Sequence, residues 1–483
     1  MSNQEIIDRY APLFMPKTVA VVGASTKGAA LPNIFIRRSR EFGFEGAIYP
    51  IHPVAAEIDG LPAYRTLADT PQPVDYAYIA VSAAQIPAML AAAAGRVRFA
   101  QVISSGFGEV DSGKDLQQQL AAAARAGGMR LLGPNCLGLY TPRGKVTFTE
   151  IAPREVGTVG IVSQSGGLGT DIVRRGMSRG LRFSGLITVG NCADLGANDM
   201  LEFYLADPQT KVIGLYIESA QDGRRLFEIL REAQAPKPVV MLKGGRTRQG
   251  LAAAVSHTGS LAGDDRAWVA LSRQTGCALV DTLDEFVDAL LAFQALAPRT
   301  QRPTQRVVLF GNGGGASVLA TDYFARLGLD VTPFGQTIVD ALAALELPPG
   351  TSITNPVDCP VGTLQQDDGR VAEKILDVIY ASAEPEALVM HLNLAAFVGR
   401  AKPEVLDNLM QAALRVQAHY PGKAHFVLVL RADDEPDLLA RRRDFRARAV
   451  ALGIPVYDEL SNAGHALAAL QAHERFVQSR SGA

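Results

Sequence analysis

TVAVVGAS (Thr18–Ser25) is a β-branched apolar run that stops on a glycine turn, and AIYPIH (Ala47–His52) is a second apolar run one helix-length further on. A strand with no wet face, then a turn, a helix-length segment and another strand, is the pattern of a βαβ unit in a parallel sheet covered on both sides. The pattern continues through YAYIAV (Tyr76–Val81), FAQVISS (Phe99–Ser105) and MRLLGP (Met129–Pro134). It then restarts twice. One series is TVGIVSQSGG (Thr158–Gly167), FSGLITVG, VIGLYIES (Val212–Ser219), PVVMLKGG and CALVDT; the other is RVVLFGNGGG (Arg306–Gly315), ALVMHLNL, HFVLVLRA and IPVYDE. The proline- and glycine-bearing stretch Thr141–Val156 and the stretch APRTQRPTQ (Ala297–Gln305) read as linkers between the series. Three doubly wound α/β domains in tandem are expected, which suits 483 residues at roughly 150 per domain.

Lys and Arg number 47 against 49 Asp and Glu, a net charge of −2, so neither nucleic acid nor a membrane surface is an expected partner. The opening MSNQEIIDRY has no basic-then-apolar signal pattern, and no run of about 18 apolar residues occurs, so a cytoplasmic protein with a small-molecule partner is expected. Cys136, Cys192, Cys277 and Cys359 stand far apart without a C-x-x-C pair. They read as reduced, mostly buried thiols, and no metal site is expected.

Each series opens with a strand, a glycine turn and a helix, an arrangement that aims backbone N–H groups at an anion. The three turns are Gly23-Ala24-Ser25, Ser165-Gly166-Gly167 and Asn312-Gly313-Gly314-Gly315. Such turns also serve tight packing, and taken singly each reading stands. The first departs from the dinucleotide fingerprint, because Ser25 replaces its next glycine and His52 replaces the acid closing the second strand. An NAD site is therefore not expected, whereas another nucleotide-bearing ligand remains open.

The second series contains KGGRTRQGLAAAVSHTGSLAG (Lys243–Gly263), read as a connection of about twenty residues, longer than an ordinary loop. It carries His257 between Ser256 and Thr258, Gly259 and Ser260. Imidazole can be neutral and nucleophilic near pH 7, and small hydroxyl neighbours leave room for an oxygen-rich group such as phosphate on the ring. A histidine satisfied by a neighbouring carbonyl is the plainer alternative. Glu218 closes VIGLYIES at the carboxyl end of a strand, where open α/β sheets place their sites, and it can fix the tautomer of His257. Asp264–Arg266 reads as the acidic first turn of a helix. His391, His419, His425, His465 and His473 read as structural or surface residues.

A set of ordered motifs resembles one family. VVGAS (Val21–Ser25), IYPIHP (Ile48–Pro53), SSGFGE (Ser104–Glu109), GPNCLGL (Gly133–Leu139), SQSGGLG (Ser163–Gly169), VGNCADL (Val189–Leu195), LYIES (Leu215–Ser219), SHTGSLAG (Ser256–Gly263), NGGG (Asn312–Gly315) and NPVD (Asn355–Asp358) run nearly end to end. Together they resemble the α subunit of ADP-forming acyl-CoA synthetases of the acetate–CoA ligase type, relatives of succinyl-CoA synthetase. In place of a lysine common in that family stands Cys192.

The resemblance implies a Rossmann-like CoA-binding domain (1–140) and two flavodoxin-like, succinyl-CoA-synthetase-like domains (151–296 and 303–483). It implies an acid–thiol ligase that interconverts acyl-CoA, ADP and phosphate with a carboxylic acid, CoA and ATP. His257 is implied as the phosphorylated residue and Glu218 as its orienting acid. Ser165, Gly166 and Gly167 with Asn312, Gly313, Gly314 and Gly315 are implied as phosphate donors. CoA or acyl-CoA is implied near Gly23, Ala24, Ser25, Pro53, Ser82, Ser105 and Asn135. Because the sequence ends at Ala483 without ATP-grasp domains, a separate ATP-grasp β subunit holding ADP or ATP and Mg is expected. The alternative is a CoA- or acyl-CoA-binding regulatory protein that keeps the fold without turnover.

Overall fold

Three parallel sheets each start from a strand buried along its whole length: Thr18–Val22, Val159–Ser163 and Val307–Gly311. The computed structural model describes residues 1–28, 30–258, 264–398, 400–433 and 435–481, without the side chains of 255–258, 403 and 481. The chain divides into two compact units, Met1–Phe286 and Val287–Ala483.

In the first sheet the spatial order is Ala47–Ile51, Thr18–Val22, Val74–Ile79, Val97–Val102, Arg130–Leu132, every pair parallel. Numbered along the chain this is 2-1-3-4-5, and a parallel bridge from Ile51 to Tyr64 adds a rudimentary strand outside the edge. Counting it converts the order to the Rossmann 3-2-1-4-5-6. Side chains alternate across the strand. Val19 and Val21 face a core that includes Phe35, Tyr76 and Tyr78, whereas Ala20 and Val22 face a second core with Ile79, Leu90 and Leu120.

The second sheet runs Ala278–Val280, Val239–Lys243, Val212–Ile217, Val159–Ser163, Phe183–Thr188, again 2-1-3-4-5 in its parallel part. An antiparallel hairpin, Leu139–Thr141 and Val146–Thr147, pairs with Phe183–Thr188 and extends the edge. This corrects the reading of Thr141–Val156 as a plain linker, since its first part is the turn and return strand of that hairpin. Strands of two or three residues are too short to show a period-two pattern. The Thr141 hydroxyl donates to the Phe14 carbonyl at 2.7 Å, which anchors the turn to the first helix.

That helix, Asn3–Phe14, starts with a capping box of Ser2 and Glu5 and ends with Phe14 stacked on Phe203, ring centroids 3.9 Å apart. Because Phe203 lies on the helix that packs under the second sheet, the two sheets of the first unit share one core, with Val162, Ile187 and Ile213 continuing from Val19 and Val21. Complete burial of each such side chain contributes about 1.5–3 kcal/mol.

The second unit holds the third sheet, ordered Val357–Asp358, Val307–Gly311, Ala387–Asn393, His425–Arg431, Val456–Tyr457, all parallel and again 2-1-3-4-5. The second linker has no helix or strand between Ala295 and Val307. It is pinned by Glu474, fully buried, whose carboxylate accepts from Arg299 N at 2.7 Å, Thr304 N at 2.6 Å and His425 Nε2 at 2.8 Å.

All four cysteines are buried and unpaired. Among the described residues no helix is long and apolar enough to cross a membrane.

Candidate functional site

In a 2-1-3-4-5 sheet the crevice opens between strands 1 and 3, where successive connections leave in opposite directions. In the second sheet that point lies between Ser163 and Ile217, and Gln164 closes it. Its carboxamide oxygen accepts from Glu218 N and, at 2.9 Å, from Ser219 N, while its Nε2 donates to Ser219 O at 2.9 Å. Glu218 thus leaves the strand on a fixed backbone with its carboxylate buried, and the Tyr216 hydroxyl donates to it at 3.1 Å. From the neighbouring strand Lys243, itself buried, donates to the Glu218 carbonyl at 2.8 Å and to Gly244 O. Its ammonium sits 5.2 Å from the centre of the Trp268 ring. Burial lowers the Lys243 pKa, and the Glu218 charge partly offsets that. Neither Gln164 nor Lys243 was given a role from the sequence, although each stands one residue from a glycine or hydroxyl motif.

Ser165 is the N-cap of the helix Gly166–Arg179, its hydroxyl accepting from Leu168 N at 3.3 Å. The two glycines behind it differ. A side chain on Gly166 would lie 2.5 Å from Leu137 Cγ, so packing demands that glycine, whereas a side chain on Gly167 would meet nothing within 4 Å among the described residues. The open approach to the helix end is therefore at Gly167.

His257 lies in a helix, Arg248–Thr258, rather than in a long loop. Thr247 starts it, accepting from Leu251 N with its carbonyl at 2.7 Å and from Gly250 N with its hydroxyl at 3.0 Å, and Ala252–Ala254 have the highest helix propensity. The side chain of His257, and residues 259–263 after it, lie outside the described residues. Asp264 caps the helix Asp265–Thr275, and Asp265 pairs with Arg246, so these acids have the structural role expected of them.

The carboxyl edge of the first sheet forms a cavity of about 690 Å³. Gly23, Ala24, Ser25 and Pro53 line it, together with His52, Arg65, Val81 and Met89; Ser82, Ser105 and Asn135 do not. Ser82 adjoins Val81. Ser105 and Asn135 are exposed on the same edge nearer the second sheet, where Asn135, at φ +56°, donates to Asn191 Oδ1 at 3.4 Å. Gly23 has φ +97° and a side chain there would lie 2.3 Å from Ala80 O, so the chain turns against its neighbour strand only with glycine.

Three backbone donors of the turn after Gly23 already have partners. The Asn33 side chain accepts from Ser25 N at 2.7 Å, Ser25 accepts from Lys27 N at 3.1 Å and from Gly28 N at 3.2 Å, and Asp59 stands behind, bonded to Asn33 and paired with Arg37.

In the second unit Asn312 repeats the task of Gln164, accepting from Asn393 N at 2.8 Å across the strand ends. Gly313 N donates to Asp358 Oδ1 at 2.8 Å, so that one donor of the third turn already has a carboxylate, while a side chain on Gly315 would meet nothing within 4 Å among the described residues. His391 is buried beneath this turn, its Nε2 3.2 Å from Ser317 Oγ, and burial followed by the Arg431 charge lowers its pKa to about 4. Cys192, at φ +53°, is buried with its Sγ 3.9 Å from Gln164 Nε2, and burial pushes its thiol up to about 12.

A CoA binding domain model matches residues 17–142 and a succinyl-CoA ligase like flavodoxin domain model matches residues 156–293. Acetate–CoA ligase [ADP-forming] I subunit alpha of Pyrococcus furiosus is 34% identical over 95% of this chain and 96% of its own length, and the II subunit alpha of the same organism is 32% identical over 95% and 96%. A dinucleotide forming acetyl-coenzyme A synthetase 1 of Ca. Korarchaeum cryptofilum, solved with phosphate and ADP, superposes with a TM-score of 0.83 at 28% identity, covering 98% of this chain and 99% of that one. With its parallel sheets, its clamped Glu218 and this likeness over almost the full length, the chain belongs to the α-subunit family of ADP-forming acetate–CoA ligases.

Proposed function

We propose that this chain is the α-type component of an acid–thiol ligase that interconverts acyl-CoA, phosphate and ADP with a small carboxylic acid, CoA and ATP, through a phosphohistidine at His257. The observation that carries this reading is the clamp of Gln164 and Lys243 on Glu218 at the crevice of the second sheet. A protein that only binds CoA needs no buried carboxylate held by its backbone at that point, and this favours the enzyme over the binding-only alternative.

Phosphate attacks the thioester carbonyl, the C–S bond breaks and the CoA thiol leaves with a proton, giving an acyl phosphate. The neutral ring nitrogen of His257 then attacks phosphorus, the bond to the acyl oxygen breaks and the carboxylic acid leaves as its anion. An oxygen of the ADP terminal phosphate takes the phosphoryl group from the ring, forming ATP. Glu218 accepts a hydrogen bond from the other ring nitrogen, which leaves the attacking nitrogen unprotonated. Ser165, Gly166 and Gly167 supply preorganised donors to the phosphoryl oxygens. The Asn312–Gly315 turn is assigned to the same class of ligand on its own unit.

CoA is assigned to the cavity at Gly23–Ser25 and Pro53, with Ser82, Ser105 and Asn135 along the edge beyond it. The naming of the two Pyrococcus relatives as subunits supports a second subunit, to which we assign an ATP-grasp fold, the nucleotide and Mg. On this reading the protein works in the cytoplasm, where CoA and ATP are supplied. Incubation with acyl-CoA, phosphate and a matched ATP-grasp partner is expected to place an acid-labile phosphate on His257. Wild-type protein that stays unlabelled, or a His257→Ala variant that keeps turnover, defeats the proposal.

A further inference from the structure

We infer that His52 and Arg65 form the anion subsite of the first-sheet cavity and bind the 3′-phosphate on the ribose of CoA. This rests on the reading of the cavity as the CoA site. The N–H groups of Ser25, Lys27 and Gly28 are spent within the glycine turn, with the Asp59 carboxylate close behind, so these three donors are not free for a phosphate. Side chains on the cavity wall stand where they can meet the charge. Among the described residues Arg65 is the one ionised residue lining the cavity, it is exposed, and it has no ion pair.

His52 supplies a directed donor. Its Nδ1 accepts from Val54 N at 3.2 Å and from Ala55 N at 2.8 Å, so in the neutral ring the proton is on Nε2. The Thr66 hydroxyl next to Arg65 is committed to Asp69 and is not a competing donor. His52 directly follows the strand Ala47–Ile51, the place from which dinucleotide-binding sheets read the ribose: an acid there accepts from a free hydroxyl, and a cation there accommodates a ribose phosphate. A ring N–H and a guanidinium suit the phosphorylated sugar. The apolar wall of Ile51, Leu67, Val81 and Met89 is left for the flat base.

The test is calorimetric binding of CoA and of dephospho-CoA, which lacks only the 3′-phosphate, to the full chain and to its Arg65→Met, Arg65→Lys and His52→Gln variants. Wild type is expected to prefer CoA by about tenfold to a hundredfold, the range of one or two charge-assisted hydrogen bonds. Arg65→Met and His52→Gln should bring CoA toward the dephospho-CoA affinity while leaving dephospho-CoA itself unchanged, and Arg65→Lys should restore part of the preference. Equal weakening of both ligands assigns Arg65 to the diphosphate and overturns the inference. So does a wild-type chain that binds the two ligands alike. A wild-type chain that binds neither overturns the CoA reading of the cavity, and the inference with it.

Discussion

Replacing Gln164 by Leu keeps most of the side-chain volume and removes three hydrogen bonds, those with Glu218 N, Ser219 N and Ser219 O. Both partner residues are only 7% exposed, so water does not readily take the place of the lost carboxamide. An unsatisfied buried backbone group costs about 1–3 kcal/mol. With three such groups and partial relaxation of the strand end, a loss of about 3 kcal/mol is expected. Trp268 is the only tryptophan of the chain and is buried in the first unit beside Lys243, so its fluorescence reports on the unit that carries the change. At a slope of about 3 kcal/mol per M of urea, the midpoint seen by Trp268 should fall by about 1 M. The same variant should form phosphohistidine more slowly, because Glu218 is no longer fixed. A midpoint that moves by less than about 0.2 M with the slope unchanged would refute the argument that the clamp holds the crevice together.

Gly23→Ala forces a side chain to 2.3 Å from the Ala80 carbonyl at φ +97°, and the Ala80 N–H is bonded to Val22 O at 3.1 Å, which limits retreat. Overpacking and the left-handed backbone together should cost about 2–4 kcal/mol, and CoA binding should weaken with it; unchanged melting and binding would show that the close approach is not needed. His391 is held neutral, with its pKa at about 4 against the ordinary 6.5, so the unfolded chain takes up a proton first as pH falls. Its contribution to stability is complete above pH 6.5 and is lost toward pH 4, a change of about 3 kcal/mol. Urea unfolding followed by circular dichroism should therefore show a steeper acid loss in wild type than in His391→Gln, and parallel pH profiles would contradict this.

The parallel strands were legible because they are buried on both faces and read as unbroken apolar runs, and the glycine turns because Gly23 and Gly166 are required by contacts under 3 Å. Glu218 was legible as an acid ending a strand. Gln164 and Lys243 were not, since a glutamine after a strand and a lysine before two glycines are indistinguishable in sequence from surface residues, and their partners are 55 and 25 positions away. The hairpin Leu139–Thr147 was hidden by its brevity and by a proline and a glycine that mark its turn. The helix around His257 was hidden because Gly250 and the small hydroxyl residues weaken the helical signal that Ala252–Ala254 supply. Occupation of the turn at Ser25 by Asn33 could not be read either, because it depends on a side chain from the following helix reaching back.

The fastening of Arg299 and Thr304 by Glu474 has a consequence for biosynthesis. The carboxylate is translated 175 and 170 positions after the amides it holds. At about 5–20 residues per second the ribosome needs roughly 10–35 s to cover that distance. For that interval the start of the second unit waits without its anchor, while every strand of the first two sheets has already been made. Premature termination before Glu474 would thus spare the earlier sheets and leave the later one without its closing latch, a graded vulnerability along the message that the finished protein conceals.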